Sequence, residues 1–415
     1  MKKLIYTLVL ALILNSAFLI QNSQAQWTQI PSGFVNADYI YDFSSSATFI
    51  YAGTNHGLYR SSNNGNAWSL TGFDTSIVLS VLASGNSTVF ASPEYGGVWV
   101  STNSGTNWTK TSLIDCTVWS FMIIGSNLYA GTQSRGMYLS TNNGTSWTQI
   151  GLNGYTVNAI SNTGSYIFAG TGSGLLISTN NGTNWTNTSL TKDVQSLSFI
   201  GTTLFAGTYG FGVYMSTNNG TSWTPTNLTG GNIFGLAASG TNLFAATDNS
   251  GILMTTNNGT TWKSKNEGFS IPLKFVSLMI ANSYVFTGSY GYSAWRRSYS
   301  EIIGIQSISS EVPIAYSLSQ NYPNPFNPTT KIRFAIPKAT VGQTFLSSPH
   351  GFSEDLVQLK VFDIMGREVE TLVNEQLAPG TYETTFDGSA LSSGTYFYKL
   401  TSGSFSQTKK LTLLK

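Results

Sequence analysis

The chain has 415 residues, with 20 Lys and Arg against 18 Asp and Glu, 42 glycines, 13% aromatic residues and a single cysteine. That length accommodates a large repeat domain with a smaller companion, and the charge balance leaves no basic stripe for a nucleic-acid backbone. A lone Cys116 cannot close an internal disulfide and reads as a small buried hydrophobe; two histidines, His56 and His350, supply no zinc-ligand spacing. At the N-terminus, Lys2 and Lys3 precede the apolar run LIYTLVLALIL and the small-residue pattern Ser23-Gln24-Ala25. This predicts a signal peptide over residues 1–25, cleaved before Gln26, and no later segment approaches the about 18 apolar residues of a membrane span. The expected mature chain is soluble, without a transmembrane segment.

Next comes a repeat. SSNNGNAW from Ser61, STNSGTNW from Ser101, STNNGTSW from Ser140, STNNGTNW from Ser178, STNNGTSW from Ser216 and TTNNGTTW from Thr255 are six versions of one phrase. Their tryptophans, Trp68, Trp108, Trp147, Trp185, Trp223 and Trp262, are spaced 40, 39, 38, 38 and 39 residues apart. A second phrase occurs seven times upstream: YAGT at Tyr51 and Tyr129, FASP at Phe90, FAGT at Phe168 and Phe205, FAAT at Phe244 and FTGS at Phe286. Each unit reads as four short strands, A to D, bounded by Gly, Asn and Ser, with no 3.6-residue apolar period. A period near forty with four strands per unit predicts an all-β, seven-bladed propeller over residues 26–300.

The phrase belongs at the C-to-D turn. Asn-Gly suits the positive φ angles of a tight hairpin, and the first Asn of each box (Asn63, Asn103, Asn142, Asn180, Asn218 and Asn257) can accept backbone N–H bonds. The tryptophan offers a face to pack between blades. The box resembles the Asp-box, the S-x-D-x-G-x-x-W turn of sialidases, sortilin-type receptors, xyloglucan hydrolases and plastid photosystem-assembly propellers, with Asn here in place of Asp. An amide makes the same turn bonds without charge, so the boxes are read as structural. Seven phrases with six boxes leave one blade short of a strand. WTQI from Trp27 matches WTQI from Trp147, so the N-terminal strand is expected to complete the blade of residues 270–299 and close the ring.

The B-to-C loops differ from blade to blade: NHG at Asn55, EYG at Glu94, QSRG at Gln133, GSG at Gly172, YGFG at Tyr209, DNSG at Asp248 and YGY at Tyr290. Variable loops on a constant scaffold are candidate binding positions. They predict a ligand site from Tyr95, Arg135, Tyr209, Phe211, Asp248, Tyr290 and Tyr292, with glycan or protein as ligand. No catalytic residue, metal site or cofactor is assigned. A sialidase would need an arginine cluster with a tyrosine and acid pair, and only Arg60, Arg135, Arg296 and Arg297 are present in this region. The alternatives are a glycoside hydrolase, for which Glu94 and Asp248 are the best carboxyl pair, and a structural or assembly factor with one protein partner.

Charge marks a boundary: residues 27–300 hold 9 basic and 8 acidic groups, whereas residues 301–415 hold 9 and 10 in less than half the length. Residues 301–316 read as a linker. NYPNPFNPTT from Asn321, VFDIMGREVETLV from Val361, PGTYETTFDG from Pro379, SSGTYFYKL from Ser392 and KKLTLLK at the C-terminus then predict a small immunoglobulin-like sandwich over residues 317–415. These motifs, in this order, resemble the C-terminal sorting domain of type IX secretion substrates, apart from an insertion-like stretch from Thr340. The resemblance implies export through the type IX machinery of a Bacteroidetes-like bacterium, removal of the domain by a sortase-like peptidase, and a secreted or outer-membrane-surface destination.

Overall fold

The computed structural model describes residues 26–415 apart from 31–32, 35–36, 74–75, 270, 272, 310, 339–355, 376, 378 and 390. The predicted signal peptide and nearly all of the stretch from Thr340 lie outside the described residues. Nine four-stranded antiparallel sheets account for the rest. Seven are blades, built from residues 40–70, 78–110, 118–151, 157–187, 194–225, 233–264 and 275–298; we number them 1 to 7. The outermost strand of blade 7 is Thr28–Gln29, which pairs antiparallel with Ala294–Ser298 through Thr28 opposite Arg296 and Gln29 opposite Trp295. The inner strands of blades 1 and 7 also touch, so the ring is closed and no blade presents an open inner edge.

The repeated residues explain why the units stack. Apolar side chains collect in seven clusters, one at each blade junction, rather than in one central core. In the FAGT phrase, Phe168 or Phe205 fills such a junction with no exposed surface. The glycine keeps the next blade close: a Cβ on Gly170 would stand 2.6 Å from Val194 of the following blade. The threonine closes the B-to-C hairpin, as where Thr171 Oγ1 donates to the Gly174 carbonyl at 2.8 Å.

The box is a clasp of hydrogen bonds. In the third, Ser140 Oγ accepts from Gly144 N and donates to Asn142 Oδ1, and Asn142 Oδ1 also accepts from Ser146 N, each at 2.9 Å. Asn143 and Gly144 have φ of 52° and 78°, and a Cβ on Gly144 would lie 2.6 Å from the Phe90 ring of the preceding blade. Only glycine fits a left-handed turn pressed against a ring. The amide does something a carboxylate could not: Asn142, Asn218 and Asn257 donate through Nδ2 to Ser146, Ser222 and Thr261. The other boxes carry Ala67, Asn107 and Asn184 at that position.

The two remaining sheets form the sandwich. One runs Ile305–Ser309, Gly380–Asp387, Thr329–Ile336, Ser317–Leu318; the other runs Glu368–Glu375, Val357–Phe362, Gly394–Ser402, Phe405–Leu413. The linker expected at 301–316 is therefore shorter. A single helical turn, Tyr299–Ile302, joins the domains, and Ile305–Ser309 pairs with Gly380–Asp387 because the fully buried Ile305 belongs to the sandwich core. The proline motif is tied to the chain terminus: Phe326 N donates to Thr412 O at 3.0 Å, Leu414 N to Phe326 O at 2.9 Å, and Thr412 N to Asn324 Oδ1 at 3.0 Å. Motifs ninety residues apart thus form one edge.

Candidate functional site

Successive turns of an antiparallel blade alternate between faces, so the propeller has a box face, bearing A-to-B and C-to-D turns, and a loop face, bearing B-to-C and D-to-A connections. The A-to-B turns and boxes contain no Asp, Glu, Lys or Arg. The loop face is charged and aromatic. Tyr95, Tyr209, Phe211, Tyr290 and Tyr292 are each about half exposed or more. Tyr95 is held in a left-handed conformation, φ 55°, with its backbone N–H donating to Thr117 Oγ1 at 2.9 Å.

These residues do not all converge. Tyr209 meets Phe234 edge-on at 6.2 Å, the Lys274 ammonium stands 5.2 Å from the ring centres of both Phe234 and Tyr290, and Tyr290 meets Tyr39 at 4.3 Å, with Tyr39 stacked on Tyr41 at 6.4 Å. An aromatic path therefore crosses blades 5, 6, 7 and 1. Phe211 lies beside it, covered by the Lys192 ammonium at 4.1 Å. Arg135 sits on blade 3, donating to Ile114 O at 3.4 Å. Asp248 is occupied with its own blade: its carboxylate accepts from Asn232 Nδ2 at 2.5 Å and Asn232 N at 3.3 Å, holding the D-to-A connection. Tyr292 contributes its carbonyl to Gln29 Nε2 at 3.1 Å.

Sequence reasoning overlooked the inner strands. In every blade the A-to-B pairing carries a β-bulge at the same register, between Ile40 and Asp42, Val78 and Ser80, Val118 and Ser120, Val157 and Ala159, Val194 and Ser196, Ile233 and Gly235, and Phe275 and Ser277. The unpaired residues are Tyr41, Leu79, Trp119, Asn158, Gln195, Phe234 and Val276, and all seven line a cavity of about 590 Å³ on the propeller axis. A bulge turns a side chain out of the ladder, here seven times into the same space. Aligning the seven units would have exposed this position, because its neighbour on one side is always apolar while it varies from Tyr to Asn.

The next residue along stitches the blades. Asp42 Oδ2 accepts from Val81 N at 2.9 Å, Ser120 Oγ from Ile160 N at 3.1 Å, and Ser277 Oγ donates to Ile40 O at 3.2 Å. Ser, Ala or Gly occupies this position in six blades and Asp42 in one. Burial pushes the Asp42 carboxyl up to about 7, against the bonds from Val81 and Phe43 that favour its charged form. Among the described residues no group of three or more His, Cys, Asp or Glu could hold a metal ion.

On the box face, the sandwich docks at blade 6. Glu375, 2% exposed, reaches the A-to-B turn, where it accepts from Asn242 Nδ2 and, at 3.3 Å, from Ser239 Oγ. Asn242 Nδ2 also donates to the Tyr299 hydroxyl at 3.1 Å, which donates to Ser239 O. Burial is the main cause that raises Glu375 to about 8 and lifts Tyr299 well above the usual tyrosine value. The loop face is on the opposite side and stays open.

Residues 320–413 match the secretion-system C-terminal sorting domain family. This chain carries a type IX sorting domain. It is accordingly a secreted or surface propeller of a Bacteroidetes-type bacterium, exported through the type IX machinery. No helix among the described residues is long and apolar enough to cross a membrane. Solved structures share the fold. YCF48 from Cyanidioschyzon merolae is 14% identical with a TM-score of 0.54, covering 67% of this chain and 99% of that one, and YCF48 has also been solved bound to D1 peptide. The extracellular domain of a one-component system of B. thetaiotaomicron is 16% identical at 0.57, covering 75% of this chain and 46% of its own. PorZ, a surface component of the type IX secretion system of Porphyromonas gingivalis, is 12% identical at 0.52, covering 91% and 60%. The chain thus spans less than two thirds of the last two. None of the curated proteins compared with the chain by sequence matches it.

Proposed function

We propose that this is a non-catalytic binding protein of the Asp-box type, whose loop face takes a glycan or protein ligand outside the cell. One observation carries the reading: the sorting domain docks on the box face through Glu375, while the exposed aromatic path gathers on the face left open. Exposed rings with polar and charged groups beside them suit ligands that offer apolar faces and hydrogen bonds together. The peptide held by YCF48 supports the protein arm of this reading. Removal of the sorting domain by a sortase-like peptidase would release the propeller or leave it at the surface.

The test is binding of the purified full chain to a polysaccharide array, scored together with release of reducing ends. Retained binding and no release is the expected result, with binding lost in the Tyr209→Ala, Tyr290→Ala, Tyr292→Ala triple variant. Release that fails in Glu94→Gln would install the hydrolase instead. Unchanged binding in the triple variant would remove the loop face from the account.

A further inference from the structure

We infer that the bulge ring at the axial cavity is a saccharide subsite, in which pyranose rings stack on Trp119, Tyr41 and Phe234 and their hydroxyls bond to Asn158, Gln195 and Lys274. The inference rests on the binding-protein reading above and adds contacts on the inner strands to those of the loops.

Rigidity is the first argument. The six groups come from β-strands or their immediate ends in a closed ring, so their positions are set by the blade junctions and little ordering accompanies binding. The second is the division of hydrogen-bonding roles. Asp193 Oδ1 accepts from Asn158 Nδ2 at 3.2 Å and from Gln195 Nε2 at 2.6 Å, and Val194 O accepts from Asn158 Nδ2 at 3.1 Å. Both amide NH2 groups are therefore turned to the wall. Their carbonyl oxygens carry no hydrogen bond among the described residues and are left as acceptors for the cavity. Across the ring, Lys274 is a donor: it stands between Phe234 and Tyr290, and no carboxylate lies within ion-pair distance of it among the described residues.

The ring thus offers aromatic faces on blades 1, 3 and 6, acceptors on blades 4 and 5, and a donor beside blade 7. A polyhydroxylated ring, which presents C–H faces and hydroxyls that both donate and accept, satisfies all three. The volume, about 590 Å³, is within the range of ordinary ligand sites.

The experiment titrates the full chain with the soluble oligomers of glucose, xylose, mannose and N-acetylglucosamine by calorimetry, using Trp119→Ala, Trp119→Tyr, and a Tyr209→Ala, Tyr292→Ala double variant. Trp119 belongs to no blade-junction cluster, so thermal unfolding should be unchanged in both Trp119 variants. Expected is binding of at least one oligomer, weakened about tenfold or more in Trp119→Ala, as for removal of a central aromatic contact, and recovered in large part in Trp119→Tyr. Full affinity in Trp119→Ala with loss in the double loop variant would overturn the subsite and leave the loop-face reading standing. Wild-type chain that binds none of the oligomers overturns the saccharide class, and the binding reading then depends on a protein ligand alone.

Discussion

The box face and the loop face of the propeller come from the same forty-residue unit, yet one repeats itself and the other changes at every blade. On the box face the third turn spends its polar groups within itself: Ser140, Asn142 and Ser146 satisfy one another, and Trp147 Nε1 donates to the Gly144 carbonyl at 3.0 Å. Such a surface has little left to offer a ligand. On the loop face, rings and charged groups remain exposed and the bulge residues project into the axis. The difference teaches that repetition marks positions whose task is the same in all blades, and variation marks those freed from that task.

Breaking the scaffold should have the largest effect. Phe168 fills the junction of blades 4 and 5 with no exposed surface, so Phe168→Ala should cost about 3–5 kcal/mol, measured by urea unfolding. Breaking the loop face should be nearly as large in affinity and negligible in stability: the Tyr209, Tyr290, Tyr292 triple alanine variant should lose roughly a hundredfold in binding, about 3 kcal/mol, with the melting temperature within about 2 °C of wild type.

A third measurement sharpens the contrast by addressing the one place where the box face is used. Burial at the domain contact raises the Glu375 carboxyl from its ordinary 4.5 to about 8, so docking takes up a proton between those values. The contact is at full strength below pH 4.5 and weakens as pH rises through 8, by up to about 1.4 kcal/mol per pH unit within that window. The groups facing Glu375 are the Tyr299 hydroxyl, Asn242 and Ser239, with the backbone of Gly240; Glu301, on the same helical turn as Tyr299, is exposed. Glu370, further along the same strand, is also raised by burial and faces Lys263, which opposes that shift. Limited proteolysis between the domains should accelerate from pH 6 to 9 in wild type and much less in Glu375→Gln. Equal acceleration in both would assign the pH effect to other groups.

The smallest effect is expected at a single clasp. Ser140→Ala removes the acceptor of Gly144 N and the donor to Asn142, and should cost about 1 kcal/mol without altering ligand affinity. A change in affinity there would mean that the two faces are coupled.

Much of the fold was legible because each unit carries its own instructions: Asn-Gly for the turn, Trp for the junction, Ala-Gly for close approach. The sandwich strands were legible by alternation, as in VQLKVF, whose buried Val357, Leu359 and Val361 face one side. Of the candidate site, the exposure of Tyr209 and Tyr290 followed from loop position, but their connection through Phe234 and Lys274 did not, since those residues lie on an inner strand and at its entry. Asp248, expected among the ligand contacts from its loop position, also accepts from Asn232, a pairing that the sequence does not show.

From the sequence alone came the number of blades, the nature of the turns, the strand that completes the last sheet and the motifs of the sorting domain, because all are local patterns or repeats. Only tertiary structure decided that seven bulged residues share one cavity, that Ile305 belongs to the sandwich, and that Glu375 is buried against Asn242 and Tyr299. Those relations join residues far apart in the chain, through ring closure and domain docking, and no local periodicity encodes which side chains meet there.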